Sequence, residues 1–230
     1  MLLVNQLTGF GVEEGVSGIF SEWKGYDSST TDLTTYTFSA KNIGRPHASR
    51  RVHVGVSCGN AGGSRSLSSG TIGGVSATVH GSGSGATNFA ALMSAAVPNN
   101  STGDIVVTLS GPVGFCIIGV WITYNTVNSS PFATVIETGS TSGTRSNTLN
   151  IPSNGFVFIV SNWQGATSGA VTASGVTFIE DAEFTIADSG TDCFVFARIE
   201  YPTVAATAKS ITATGGAGAS DCDFAGTSWS

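Results

Sequence analysis

Gly55-Val56-Ser57-Cys58-Gly59 has the G-x-S-x-G spacing and directly follows a β-prone run. In hydrolases that spacing lifts a serine onto a sharp strand-to-helix turn, where a histidine and a carboxylate activate it. The histidines on offer are His47, His53 and His80. The following residues, NAGGSRSLSSG, cannot make the helix the turn requires, and a chain with 31 glycines and many serines produces such matches easily. Ser57 therefore reads as a strand residue, no catalytic residues are assigned, and the chain is not expected to be an enzyme.

The densest acidic stretch is Glu180, Asp181 and Glu183, with Asp188 and Asp192 close behind. Carboxylates of this kind hold Ca²⁺, but EF-hand spacing is absent and strand alternation sends Glu180 and Asp181 to opposite faces. The stretch reads as a solvated edge, and neither a metal nor any other cofactor is expected. Trp121, Tyr124 and Trp163 offer aromatic faces of the sort on which sugar rings stack. Trp121 lies in an apolar run and reads as packing, whereas Trp163, in SNWQG at a strand end with Asn162 and Gln164 beside it, is the better candidate ligand-binding group. Cys58, Cys116, Cys193 and Cys222 show no C-x-x-C pair and no metal-ligand spacing, so they read as free thiols. A Cys116–Cys193 bridge would be the exception.

The elements that position these groups are strands. Ile105 to Leu109 and Phe115 to Ile122 are apolar runs parted by SGPVG and read as a hairpin, the second run covered on both faces as the central strand. LTTYTFSA sets Tyr36 and Phe38 against Thr35 and Thr37, and RRVHVGVS alternates Val52, Val54 and Val56 with Arg51, His53 and Gly55, a half-buried pattern. TIGGVSATV carries a Gly-Gly hairpin link. Phe156 to Val160 is a second apolar strand, Val176 to Ile186 supplies one or two amphipathic strands, and CFVFARIEY alternates up to Pro202. Strands at short spacing with Gly, Ser and Asn turns and no convincing long amphipathic helix indicate an all-β fold, an antiparallel β-sandwich or jelly roll with N- and C-terminal arms. The expected division is an N-terminal arm or edge strand over 1–32, a sandwich domain over 33–205 and a C-terminal tail over 206–230. No exact repeat is visible, although an apolar strand after a polar turn recurs in both halves.

Charged residues make up 10% of the 230 positions, against roughly 25% in an ordinary soluble protein. The surface is then mostly hydroxyl, amide and backbone, without the charges that guard strand edges against association. A net charge of −6 with nine Lys and Arg, of which only Arg45, Arg50 and Arg51 cluster, argues against a nucleic-acid partner. MLLVNQLTGFGVEEG has neither a basic n-region nor a long apolar run, so no signal peptide is expected. Phe115 to Ile122 falls short of the ~20 residues that cross a bilayer as a helix, and no membrane partner is expected.

The blocks YTFSAKNIGRPHASRRVHVGVS, TIGGVSATV, STGDIVVTLSG and IIGVWITYN resemble structural proteins of tailed bacteriophages and prophages, particularly those of marine alphaproteobacteria. The resemblance covers about Leu33 to Tyr201 and is densest from Tyr36 to Asn125. It implies a virion protein made in the host cytoplasm, either a head decoration (cement) protein or a tail or neck appendage. Its implied partners are other virion proteins and further copies of itself as a homo-oligomer. The alternative is a carbohydrate- or receptor-binding sandwich that contacts a host-surface glycan. The matched positions look like fold determinants, and no active-site residues come with them.

Overall fold

The computed structural model describes residues 20–59, 62–84, 87–126, 128–139, 142–187, 191–200 and 205–230. Among them every regular element is a β-strand, and all the pairings are antiparallel. The first half holds β1 (Phe20–Ser29), β2 (Leu33–Asn42), β3 (Arg51–Gly59), β4 (Leu67–Ile72), β5 (Val75–Ser76), β6 (Thr78–Ser82), β7 (Phe89–Ala96), β8 (Thr102–Val113) and β9 (Phe115–Tyr124). The second holds β10 (Ala133–Glu137), β11 (Thr144–Ile151), β12 (Phe156–Gln164), β13 (Gly169–Ala173), β14 (Ile179–Ala187), β15 (Thr191–Glu200), β16 (Ala206–Gly215) and β17 (Asp221–Trp229).

The sheet orders expose a duplication. In the first half β1-β9-β3-β7-β6 faces β2-β8-β4-β5, and in the second β10-β17-β12-β15-β14 faces β11-β16-β13. Each strand of one half has a counterpart at the same place in the other, β5 excepted, so the chain is two jelly rolls in tandem. Each roll has its own apolar core: Tyr36, Phe38, Ile105 and Val107 meet Val54, Val56 and Ile118 in the first, and Leu149 and Ile211 meet Ile159, Val195 and Phe224 in the second. A third core joins the two five-stranded sheets face to face through Trp121, Phe158, Phe194, Phe196 and Trp229. The molecule is therefore four layers deep.

The two rolls meet as a symmetric pair would. β3 lies against its counterpart β12, β1 against β14 with β10 reciprocally against β6, and β17 against β7 while β9 meets β15 through Phe115–Phe194 and Trp121–Phe196 ring contacts. This reciprocity is that of an isologous interface. It explains why β3 is buried along nearly its whole length, although its sequence alternates as a half-buried strand: the face carrying His53, Gly55 and Ser57 is roofed by the other roll.

Two other expectations need correction. β8 and β9 are not a hairpin, because β8 pairs with β2 and β4 while β9 pairs with β1 and β3, and the chain changes sheets at Gly114. The segment 206–230 is not a tail: β17 sits between β10 and β12 at the centre of a sheet, with eight of its nine residues buried. Residues 20–29 form an edge strand on β9, the edge-strand alternative for 1–32, and residues 1–19 lie outside the described residues. Other expectations hold. β9 is buried at every position, and Gly73 and Gly74, with φ of 58° and 80°, turn the β4–β5 hairpin.

Arg50 is spent on scaffolding. Its guanidinium donates to the carbonyls of Val97 (2.6 Å), Gly44 (2.5 Å), Asn99 (2.7 Å) and Asn100 (2.8 Å), and the residue is 1% exposed, so it ties the β2–β3 and β7–β8 loops together at one end of the first roll.

Candidate functional site

The groups singled out from the sequence are dispersed by the fold. Ser57 lies inside β3, fully buried, and accepts a 2.7 Å hydrogen bond from Asn162 Nδ2. The strand runs on to Gly59, so the turn a nucleophile requires does not form. His53 instead shares a hydrogen bond with Thr123 Oγ1 (2.9 Å), His47 Nδ1 with Ser49 (2.7 Å) and His80 Nε2 with Ser94 (2.7 Å).

Trp163 offers no stacking face. Alternation along β12 turns it toward the β11-β16-β13 sheet, where its indole is fully buried beneath Gly169 and Gly215, while Asn162 points the opposite way into the contact between the rolls. Gln164 follows Asn162 at the strand end, partly buried, so the three residues do not share one exposed surface. Trp121 is packing, between Phe158 and Phe196, and its Nε1 donates to Asp181 (2.7 Å).

The acidic stretch is split rather than solvated as a whole. A bulge between Glu180 and Ala182 turns Asp181 inward, where it pairs with Arg198, which also holds Glu200 (2.8 Å), and Glu200 accepts from Ser21. Burial pushes the Asp181 carboxyl up, and its bonds to Trp121 and Arg198 oppose that shift. Glu180 is exposed, Glu183 accepts from Gly169 N (2.8 Å), Asp192 is buried, and Asp188 lies outside the described residues. Cys116 is opposite Cys58 in register, not near Cys193, which belongs to the other roll's core, and all four thiols are free and buried.

What the fold assembles, and sequence reading missed, is a seam between the rolls with chemically different ends. At one end Arg51 lies over Trp229, its Cζ 5.6 Å from the ring centroid, and donates to Ser94 Oγ (3.2 Å), while His53 and His80 meet the same indole edge-on at 4.6 and 5.0 Å. Burial, then the Arg51 charge, lowers both imidazoles, His80 to about 4, so both are neutral at pH 7. At the other end, Asn162 is the in-register neighbour of Asp223, and Gln164 that of both Asp192 and Asp221. Asn88 and Thr87 approach from the first roll, Thr87 Oγ1 reaching Asp221 (3.4 Å). Burial drives the Asp223 carboxyl up to about 7; the bond from Gly139 N (2.8 Å) to Oδ1 opposes the shift and neighbouring Asp221 adds to it.

This second end holds the main concentration of unmet hydrogen-bonding capacity among the described residues. Asn88 Oδ1 and Nδ2, Asn162 Oδ1 and Asp223 Oδ2 are buried without a partner. Their residues are 1%, 0% and 0% exposed. Groups of three or more His, Cys, Asp or Glu arranged to hold a metal are absent among the described residues. Comparison with protein-family models, with curated proteins and with solved structures gives no match.

Proposed function

We propose that this chain is a virion structural protein carried on the exterior of a bacteriophage particle, as a head decoration (cement) protein or a tail or neck appendage. It stabilises or decorates the particle through contacts with other virion proteins and with further copies of itself. The observation that carries the reading is the character of the two outer sheets. On one, Thr144, Ser146 and Thr148 of β11 stand in register with Thr214, Thr212 and Ser210 of β16, and Thr172 of β13 is the neighbour of Thr212. On the other, Thr35 and Thr37 of β2 are neighbours of Thr108 and Val106 of β8, which adjoin Ser69 and Thr71 of β4. These are broad hydroxyl surfaces with few charges to desolvate, suited to lateral packing against other proteins. The block resemblance to phage structural proteins points the same way.

The test is gold-labelled antibody against the purified chain on intact virions under the electron microscope, with light scattering on the purified protein. Label over the head identifies a decoration protein, and label confined to tail or neck an appendage. A monomer absent from purified virions overturns the proposal.

A further inference from the structure

We propose that the end of the seam between Asn88, Asn162 and Asp223 is a calcium site that cross-links the two jelly rolls. Asn162 Nδ2 is fully committed to the first roll, donating to Ser57 Oγ (2.7 Å) and to the carbonyl of Phe89 (3.1 Å). Its Oδ1 is left in the row it shares with Asp223, whose Oδ2 is equally without a donor. Asn88 is boxed between Phe89, whose carbonyl Asn162 holds, and Thr87, which reaches Asp221, and its amide has no partner at either atom.

The unmet atoms are predominantly oxygens, and Asn162 and Asp223 stand side by side on one sheet of the second roll while Asn88 immediately precedes β7 of the first. A buried oxygen without a donor is costly, and such a set in a folded protein calls for an ion or water. A hard divalent cation meets amide and carboxylate oxygens at once. Mg²⁺ demands near-ideal octahedral geometry and keeps its waters, whereas Ca²⁺ takes six to eight oxygens in irregular arrangements, so a mixed set of two amides and a carboxylate completed by water suits Ca²⁺. Asp221, beside Asp223, adds negative charge that favours a cation. A proton on Asp223 would supply Asn162 Oδ1 but would leave Asn88 unmet. The ion bonds both rolls and is independent of where the protein sits on a particle.

The experiment is thermal unfolding of the full chain, freed of metal by chelator, on adding CaCl₂, MgCl₂ or NaCl at matched ionic strength. With calcium at about 100 times its Kd, Tm rises by about 5–10 °C, and Mg²⁺ gives a smaller rise. Asp223→Asn removes most of the calcium-dependent rise. Asn88→Asp, which breaks no existing side-chain bond of Asn88, lowers the calcium Kd measured by titration calorimetry. No calcium-dependent rise in the unaltered chain, an equal rise with NaCl, or an Asp223→Asn response equal to that of the unaltered chain overturns the proposal and leaves ordered water or a proton as the occupant.

Discussion

Phe196 and Gly119 set how closely the two rolls approach, and that coupling is measurable. Phe196 is fully buried in the seam, with Trp121 5.8 Å, Trp23 5.7 Å and Phe184 6.1 Å away between ring centroids. It rests on two glycines: a Cβ on Gly119 would overlap its ring, and one on Gly55 would come within 3.2 Å of it. The ring has no free side to retreat into, so Gly119→Ala costs the about 1–3 kcal/mol of an overpacked core. Phe196→Leu alone loses buried surface and leaves a cavity over the glycines, costing about 1–3 kcal/mol. In the double variant the alanine methyl enters the space the ring vacated. It should therefore be more stable than the sum of the single losses by about 1–2 kcal/mol, within the range seen for contacting pairs. Urea unfolding of the four proteins, followed by tryptophan fluorescence and far-UV circular dichroism, gives the cycle. Additivity within about 0.5 kcal/mol would refute the claim that this contact sets the spacing of the rolls.

Other outcomes follow from the same structure. His80 is held near pKa 4 in the native state against about 6.5 when unfolded, so the unfolded chain binds the extra proton between those values. Stability present above pH 6.5 is then lost as pH falls toward 4, by about 2 kcal/mol from His80 after allowing for solvent screening of a partly exposed ring, and His80→Gln should reduce the slope in pH-dependent urea melts, leaving the part that the buried His53 contributes. Arg50→Met leaves four carbonyls without their donor and should cost about 3–5 kcal/mol, with Arg50→Lys recovering only part because an ammonium cannot span them. Trp163→Ala should lose about 3–5 kcal/mol in the same melts, by opening the second core, and should leave any glycan-array signal unchanged. All four thiols are buried, and burial pushes Cys193 and Cys222 up to about 12; being out of reach of solvent, none of the four should react with a thiol reagent in the native protein at neutral pH, and all four should react in urea.

Sequence by itself determined the strands and their immediate turns. Alternation in LTTYTFSA, the solid apolar runs of β9 and β12 and the Gly73–Gly74 link depend on side chains a few residues apart, and each appears where the residues place it. The all-β class followed from those local signals. The duplication did not, because the two rolls share burial and strand order while most of the residues differ. Where Cys58 and Cys116 face one core, Trp163 and Cys222 face the other.

Tertiary structure alone decided which strands pair across distance, and therefore which face of each strand meets what. SGPVG looks like a hairpin turn because its Gly and Pro punctuate, yet the five-residue stretch finishes one strand and the chain then crosses between sheets, a choice made by β2 and β3 rather than by the turn. The amphipathic pattern of β3 cannot tell water from a second protein layer, since Ser57 and His53 are small or polar in either case. Asn162 and Gln164 flank an aromatic that the sequence leaves at a strand end. Alternation sends Trp163 into a core and brings Asn162 onto Asp223, a residue sixty-one positions away in a segment that reads as a tail. No local signal joins Asn88, Asn162 and Asp223, because Asn88 belongs to one roll and Asn162 and Asp223 to two strands of the other, far apart along the chain.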